Sequence, residues 1–84
     1  MIIKILGSGC PNCKKLEINA REAVKQLGIG ADFVKVTDFK DIANYGIMRT
    51  PGLVFDEKVV SFGKVTDTAT IVELLKTYIN DRRV

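Results

Sequence analysis

The chain has two cysteines, Cys10 and Cys13, and they stand in the segment Gly9-Cys10-Pro11-Asn12-Cys13. A pair of thiols at this spacing can form a reversible disulfide or hold a soft metal ion. A purely structural role fits poorly, because a disulfide-stapled chain of this size spreads about four to eight cysteines along its length. A bridge across so short a segment would also constrain little of the unfolded chain. A zinc site needs further ligands, and the chain has no second cysteine pair and no histidine. Zinc would have to borrow ligands from another chain, so no resident metal is expected. Three readings remain: thiol–disulfide exchange, a soft-metal (Cu or Zn) binding or chaperone module, and a redox-controlled interaction module without turnover.

The position of the pair indicates how exchange would run. Cys10 falls just before a helix and Cys13 within its first turn, which puts both sulfurs on one side and within bonding reach. Cys10 then sits at the positive end of the helix, where free N–H groups favour an anion. Pro11 suits the first helical position, since its missing N–H would have lacked a partner there. Lys14 and Lys15 add nearby positive charge, partly screened by solvent. A thiol of pKa about 8.5 is only about 3% thiolate at pH 7, and one of pKa about 7 is half ionised. The stabilised thiolate is also the better leaving group from a mixed disulfide. Cys10, at the loop edge, is the expected nucleophile, and Cys13, further into the helix, the resolving thiol.

The elements that must hold this segment follow from periodicity. Met1 to Leu6 reads as a strand ending at Gly7-Ser8-Gly9. From Pro11 the pattern turns helical, with Leu16, Ala20, Ala23, Val24 and Leu27 on one face. Lys14, Glu17, Arg21, Glu22 and Lys25 take the opposite face, with Glu17 and Arg21 one turn apart. Gly28 and Gly30 stop the helix. Ala31 to Val36 reads as a strand, and Asp38 caps a short helix through Phe39, Ile42 and Ala43 that ends at Gly46. Gly52 to Phe55 and Lys58 to Phe62 are strands joined at Asp56-Glu57, where the hairpin rule would favour Asp-Gly. Asp67 caps a last helix with Ile71, Leu74, Leu75 and Tyr78 on one stripe. The order is β-α-β-α-β-β-α. Its opening unit requires two parallel strands with a right-handed crossover, and its later hairpin an antiparallel pair. The economical packing is one mixed sheet with helices on both faces.

Eighty-four residues accommodate a single domain, expected over 1–84, and 46% apolar with 27% charged residues is ordinary for a globular chain. No apolar run approaches the ~20 residues of a membrane span, and the first residues lack the features of an export signal. A cytoplasmic, reducing location is therefore expected, with no membrane association. The net charge of +3 is modest, and its basic pairs, Lys14-Lys15 and Arg82-Arg83, are not interleaved with aromatics, so no nucleic-acid partner is expected.

The stretch Tyr45-Gly46-Ile47-Met48-Arg49-Thr50-Pro51-Gly52-Leu53-Val54-Phe55 resembles the thioredoxin segment Y-G-I-x-x-x-P-x-L-x-x-F. With Ile5 to Glu17 (ILGSGCPNCKKLE) and Val59 to Gly63 (VVSFG), it makes the chain similar, from Ile2 to Ile79, to the small redox-active disulfide proteins of the thioredoxin superfamily. The resemblance implies a minimal thioredoxin-like fold with a four-stranded mixed sheet in the order 2-1-3-4. It implies thiol–disulfide oxidoreductase activity without a cofactor, as a monomer. The partners it implies are a disulfide-bearing protein or small molecule and a reductase or thiol as electron donor. It further implies a cis Thr50–Pro51 bond beside Cys10, leaving the Thr50 backbone free to pair with a substrate segment as an added strand. Gly9, Pro11 and Asn12 would complete the substrate site, with Ile47 and Met48 as apolar neighbours.

Several positions depart from related patterns. Gly9 stands where thioredoxins have Trp, and Pro11-Asn12 replace Gly-Pro. Lys4 takes the place of their buried Asp and, rather than serving as a catalytic lysine, is expected to face solvent on the sheet side covered only by the short second helix, since lysine is rarely buried. Glutaredoxins share C-P-x-C, but their preceding Lys is missing and Asn12 replaces an aromatic. The copper-carrying ferredoxin-like domains resemble M-x-C-x-x-C, whereas Ser8 stands at the Met position and the chain continues into a strand and a second helix.

Overall fold

In the first strand, β1 (Ile2–Leu6), residues alternate between two faces, as the pleat requires. Ile3 and Ile5 point to one side and Lys4 and Leu6 to the other, so both faces of this strand must be covered. The computed structural model describes residues 1–7, 9–47 and 49–82, the last two by backbone alone. The remaining elements are α1 (Pro11–Leu27), β2 (Asp32–Val36), α2 (Phe39–Asn44), β3 (Gly52–Phe55), β4 (Lys58–Phe62) and α3 (Thr68–Arg82). β1 pairs in parallel with β2 and antiparallel with β3, and β3 pairs antiparallel with β4. The resulting order, β2-β1-β3-β4, is the expected one.

One face of the sheet buries Ile3, Ile5, Leu53 and Phe55 against Leu16, Ala20 and Ala23 of α1 and Ile71 and Leu75 of α3. The other buries Leu6 and Val54 against Ile42 of α2 and Ile47. β3 lies between two strands and two helical layers, so all four of its residues are buried and alternation vanishes. Gly52 sits in this crowding: a Cβ there would come 2.7 Å from Ile47 Cδ1 and 3.3 Å from Leu6 Cβ, so the surrounding side chains would have to shift. α1 ends where Gly28 adopts a left-handed conformation, its N–H bonding Lys25 O while the Ile29 N–H reaches Val24 O. α3 starts at Asp67, whose carboxylate accepts from the Thr70 N–H at 2.8 Å.

The hairpin turn departs from the rule in an informative way. Asp56 and Glu57 both take positive φ, 46° and 73°, the geometry that normally selects Gly at the second position. Their side chains supply the compensation. Asp56 accepts from the Ile2 N–H at 2.7 Å and from the Tyr78 hydroxyl at 2.9 Å, joining the start of β1 to the end of α3. Glu57 accepts from Lys4 and from the Tyr45 hydroxyl, which itself accepts from Lys4 Nζ at 2.8 Å. Lys4 lies on the expected side of the sheet but does not simply face solvent. Its side chain is 21% exposed, held on the α2 side of the sheet between Tyr45 and Glu57.

The hydrogen bond from Lys4, reinforced by Tyr45, holds the Glu57 carboxyl below the usual glutamate range. A depressed carboxylate contributes stability that is present above its ordinary pKa of about 4.3 and lost as pH falls through the depressed folded value. In urea unfolding across this acid range, Glu57→Gln is expected to be less stable than wild type near neutral pH. The gap should narrow as pH falls and close once Glu57 is protonated. A gap independent of pH would show that the carboxylate charge is not what Lys4 and Tyr45 hold.

Candidate functional site

Cys10 is the N-cap of α1, with extended backbone angles (φ −65°, ψ 161°), and Pro11 opens the helix behind it. The first turn carries no acidic residue that would oppose an anion at this end. Cys10 and Cys13 are joined as a disulfide, with Cα atoms 5.1 Å apart. The Cys13 backbone N–H points at Cys10 Sγ, 3.2 Å away. Cys10 is half-buried while Cys13 is only 4% exposed, so the two sulfurs differ in access. Gly9, Pro11 and Asn12 are all exposed around them, and Gly9 takes a positive φ of 88°.

Gly7 directly follows β1 and carries a packing role that its reading as a loop signal missed. A Cβ at Gly7 would overlap Cys13 Sγ, stand 3.2 Å from Cys13 Cβ and 3.9 Å from Thr50 Cβ. Gly7 is therefore the meeting point of the helix start and the segment before β3. Thr50 is exposed, Pro51 is buried, and the peptide bond between them is cis. Pro51 O accepts from the Gly63 N–H at 2.9 Å, which ties this segment to the end of β4. Ile47, expected beside the groove, belongs instead to the core under α2, where it packs on Leu6 and Val54. Ser8 and Met48 lie outside the described residues.

Glu17 is likewise drawn inward from the exposed face assigned to it, with 15% of its side chain exposed. Burial pushes its carboxyl up, but hydrogen bonds from Lys35 of β2 at 3.1 Å and Arg21 at 3.0 Å outweigh that and leave it below the usual range. The expected pairing with Arg21 forms, and the partner across the sheet, Lys35, is the addition. Beside Cys13, a cavity of about 50 Å³ opens between Gly7, Gly9, Lys14, Glu17 and Thr37. Among the described residues, no group of three or more His, Cys, Asp or Glu side chains is gathered to hold a metal ion. No helix among them is long and apolar enough to cross a membrane.

A mixed four-stranded sheet flanked by helices on both faces, with a C-x-x-C disulfide capping the first helix and a cis-proline entering the third strand, defines the thioredoxin-like class. Residues 1–76 match the thioredoxin domain family, and the chain belongs to that family. It is 42% identical over 82 residues to a thioredoxin of Methanocaldococcus jannaschii, covering 98% of this chain and 94% of that one. It is 44% identical over 75 residues to a thioredoxin of Methanothermobacter thermautotrophicus, covering 89% and 97%. A solved thioredoxin-2 of the malaria parasite, a component of that parasite's protein secretion machinery, shares the fold. It has a TM-score of 0.66 at 14% identity, covering 90% of this chain and 81% of that one. The chain is accordingly a thiol–disulfide oxidoreductase.

Gly7 gives a direct test of this packing, since its backbone does not need positive φ and the only obstacle to alanine is space. Gly7→Ala should force Cys13 to shift, at a cost of about 1–3 kcal/mol typical of overpacking. The variant should also form the Cys10–Cys13 disulfide more slowly, measured by free-thiol titration during oxidation. Wild-type stability and closure rate in the variant would show that Cys13 does not occupy this space.

Proposed function

We propose that the protein reduces disulfides of protein or small-molecule substrates, with Cys10 as nucleophile and Cys13 as resolving thiol. The observation that carries this assignment is the asymmetry of the pair: Cys10 is half-buried at the helix N-cap and Cys13 is 4% exposed behind it. The Cys10 thiolate attacks one sulfur of the substrate, the substrate S–S bond breaks, and the departing thiolate takes up a proton. The helix N-terminus and the Cys13 N–H favour the anion at Cys10 both as attacking and as leaving group. Cys13 then loses its proton and attacks Cys10 Sγ, and the second substrate thiol leaves. Two electrons have passed to the substrate, and the protein is left as the Cys10–Cys13 disulfide. The cavity beside Cys13 gives its proton a short way out of the core.

Thr50 and Pro51, with Gly9, Pro11 and Asn12, are the proposed substrate-contacting residues. Their support is that Gly9, Pro11, Asn12 and Thr50 are exposed around the pair, and that Gly7 brings Thr50 up to Cys13. A substrate segment would lie against the Thr50 backbone as an added strand. In this reading a reductase or a thiol restores the dithiol in a reducing compartment such as the cytoplasm, and the protein acts as a monomer.

Serine variants test the roles. Cys13→Ser should accumulate a mixed disulfide between Cys10 and a disulfide-bonded peptide, visible by mass spectrometry as one added peptide thiol. Cys10→Ser should lose measurable reduction altogether. Trapping on Cys13 in place of Cys10 would reverse the roles. Stoichiometric binding of Cu(I) or Zn(II) by the reduced protein, without thiol exchange, would replace the reading by metal carriage.

A further inference from the structure

The charge of the molecule is unevenly placed. Of the thirteen Lys and Arg and ten Asp and Glu in the chain, the segments 7–15, 46–55 and 61–66 hold Lys14, Lys15, Arg49 and Lys64 and no acid. The first carries the cysteine pair, the second carries Thr50 and Pro51, and the third is bonded to Pro51 through the Gly63 N–H, so the whole +3 of the chain is concentrated on them and the remainder is slightly acidic. All four side chains are exposed, and among the described residues none of them makes an ion pair. The acids that follow these segments most closely are already engaged: Glu17 by Arg21 and Lys35, Asp56 by the Ile2 N–H and the Tyr78 hydroxyl, Glu57 by Lys4 and the Tyr45 hydroxyl, and Asp67 by the Thr70 N–H.

Two of the four bases lie on α1 just after the disulfide, and two lie by the segment of Thr50 and Pro51. Lys14 donates its backbone N–H to Cys10 O at 3.1 Å and borders the cavity beside Cys13. Lys15 follows it on the exposed helix surface. Arg49 precedes Thr50 and lays its stem over Gly63, its Cβ and Cδ being 3.3 and 3.5 Å from where a Gly63 Cβ would stand. Lys64 extends from that same glycine, whose N–H is bonded to Pro51 O. The Arg49 stem is thus packed at the rim, with its guanidinium available to a carboxylate partner.

We propose that this basic rim selects protein substrates whose reactive disulfide is flanked by Asp and Glu. The inference rests on the oxidoreductase reading above and adds the kind of partner. Exposed charges at a site act over about one Debye length, ~8–10 Å, and raise the encounter rate of an oppositely charged substrate. The acids held elsewhere on the molecule would turn the same substrate toward this end.

The test uses the full-length reduced protein and three peptides of one length, each closed by a single disulfide and flanked by Glu, Ser or Lys. The Glu peptide should be reduced roughly tenfold faster than the Lys peptide at low ionic strength, the lower end of electrostatic steering. The gap should shrink to about twofold or less near 1 M salt, where the screening length is about 3 Å. Arg49→Glu combined with Lys64→Glu should abolish or invert the order of the two charged peptides. Normal reduction of the Ser peptide with equal rates for the other two would overturn the inference alone, as would a preference unchanged by salt. Failure to reduce even the Ser peptide would overturn it together with the reading on which it rests.

Discussion

The sulfur of Cys13 occupies the space in which any residue but glycine at position 7 would keep its side chain. Through that contact the C-terminal end of β1, the N-terminal turn of α1 and the segment carrying Thr50 are drawn to one point. A strand and a helix ordinarily stand apart by the thickness of their side chains. Here one of the two contributes none, and the helix start settles directly on the strand end. The position of the disulfide is therefore set by the central strand of the sheet, and not by the loop that carries it. The Gly7 N–H bonds Val36 O at 2.9 Å, which extends the same fixation to β2.

The remainder of the fold supplies a rigid base for that point. β3 is buried on both faces and brings Pro51 to the same end of the sheet as the cysteines. At the opposite end, the Asp56-Glu57 turn is bound by Ile2, Tyr78, Tyr45 and Lys4, so a single two-residue turn fastens β1, α3 and the end of α2. The strain of two left-handed residues is tolerated because both side chains are spent on tertiary contacts. With one end of the molecule so tied, the loops at the other can remain exposed without loosening the layers beneath them.

The elements that are legible in the sequence are those whose cause is local. The apolar stripe of α1, its proline start and glycine stop, the caps at Asp38 and Asp67 and the two short strands around a tight turn are each written within a few neighbouring residues. The cysteine pair is legible for the same reason. What escapes local reading depends on partners far along the chain. Lys4 looks like a surface residue until Glu57, 53 positions away, and Tyr45 are brought over it. Glu17 belongs to the polar face of its helix until Lys35 reaches it from the neighbouring strand. Ile47 follows the pattern of a groove residue, and the hollow left by Gly52 draws it inside. In the hairpin, a propensity rule for glycine is overridden by side chains whose benefit is entirely tertiary.

β4 forms one margin of the sheet, and its pairing with β3 slips by one residue between Leu53 and Val54, so that Ser61 and Val59 are matched while Val60 is passed over. A bulge of this kind bends a strand and increases its twist. The strand's outer row of peptide groups is consequently not a straight template, and Lys58 stands at its start and Lys64 just beyond its end. Edges shaped in this way resist the strand-by-strand stacking through which exposed sheets polymerise. Such an edge discourages the protein's own copies from adding to the sheet as further strands.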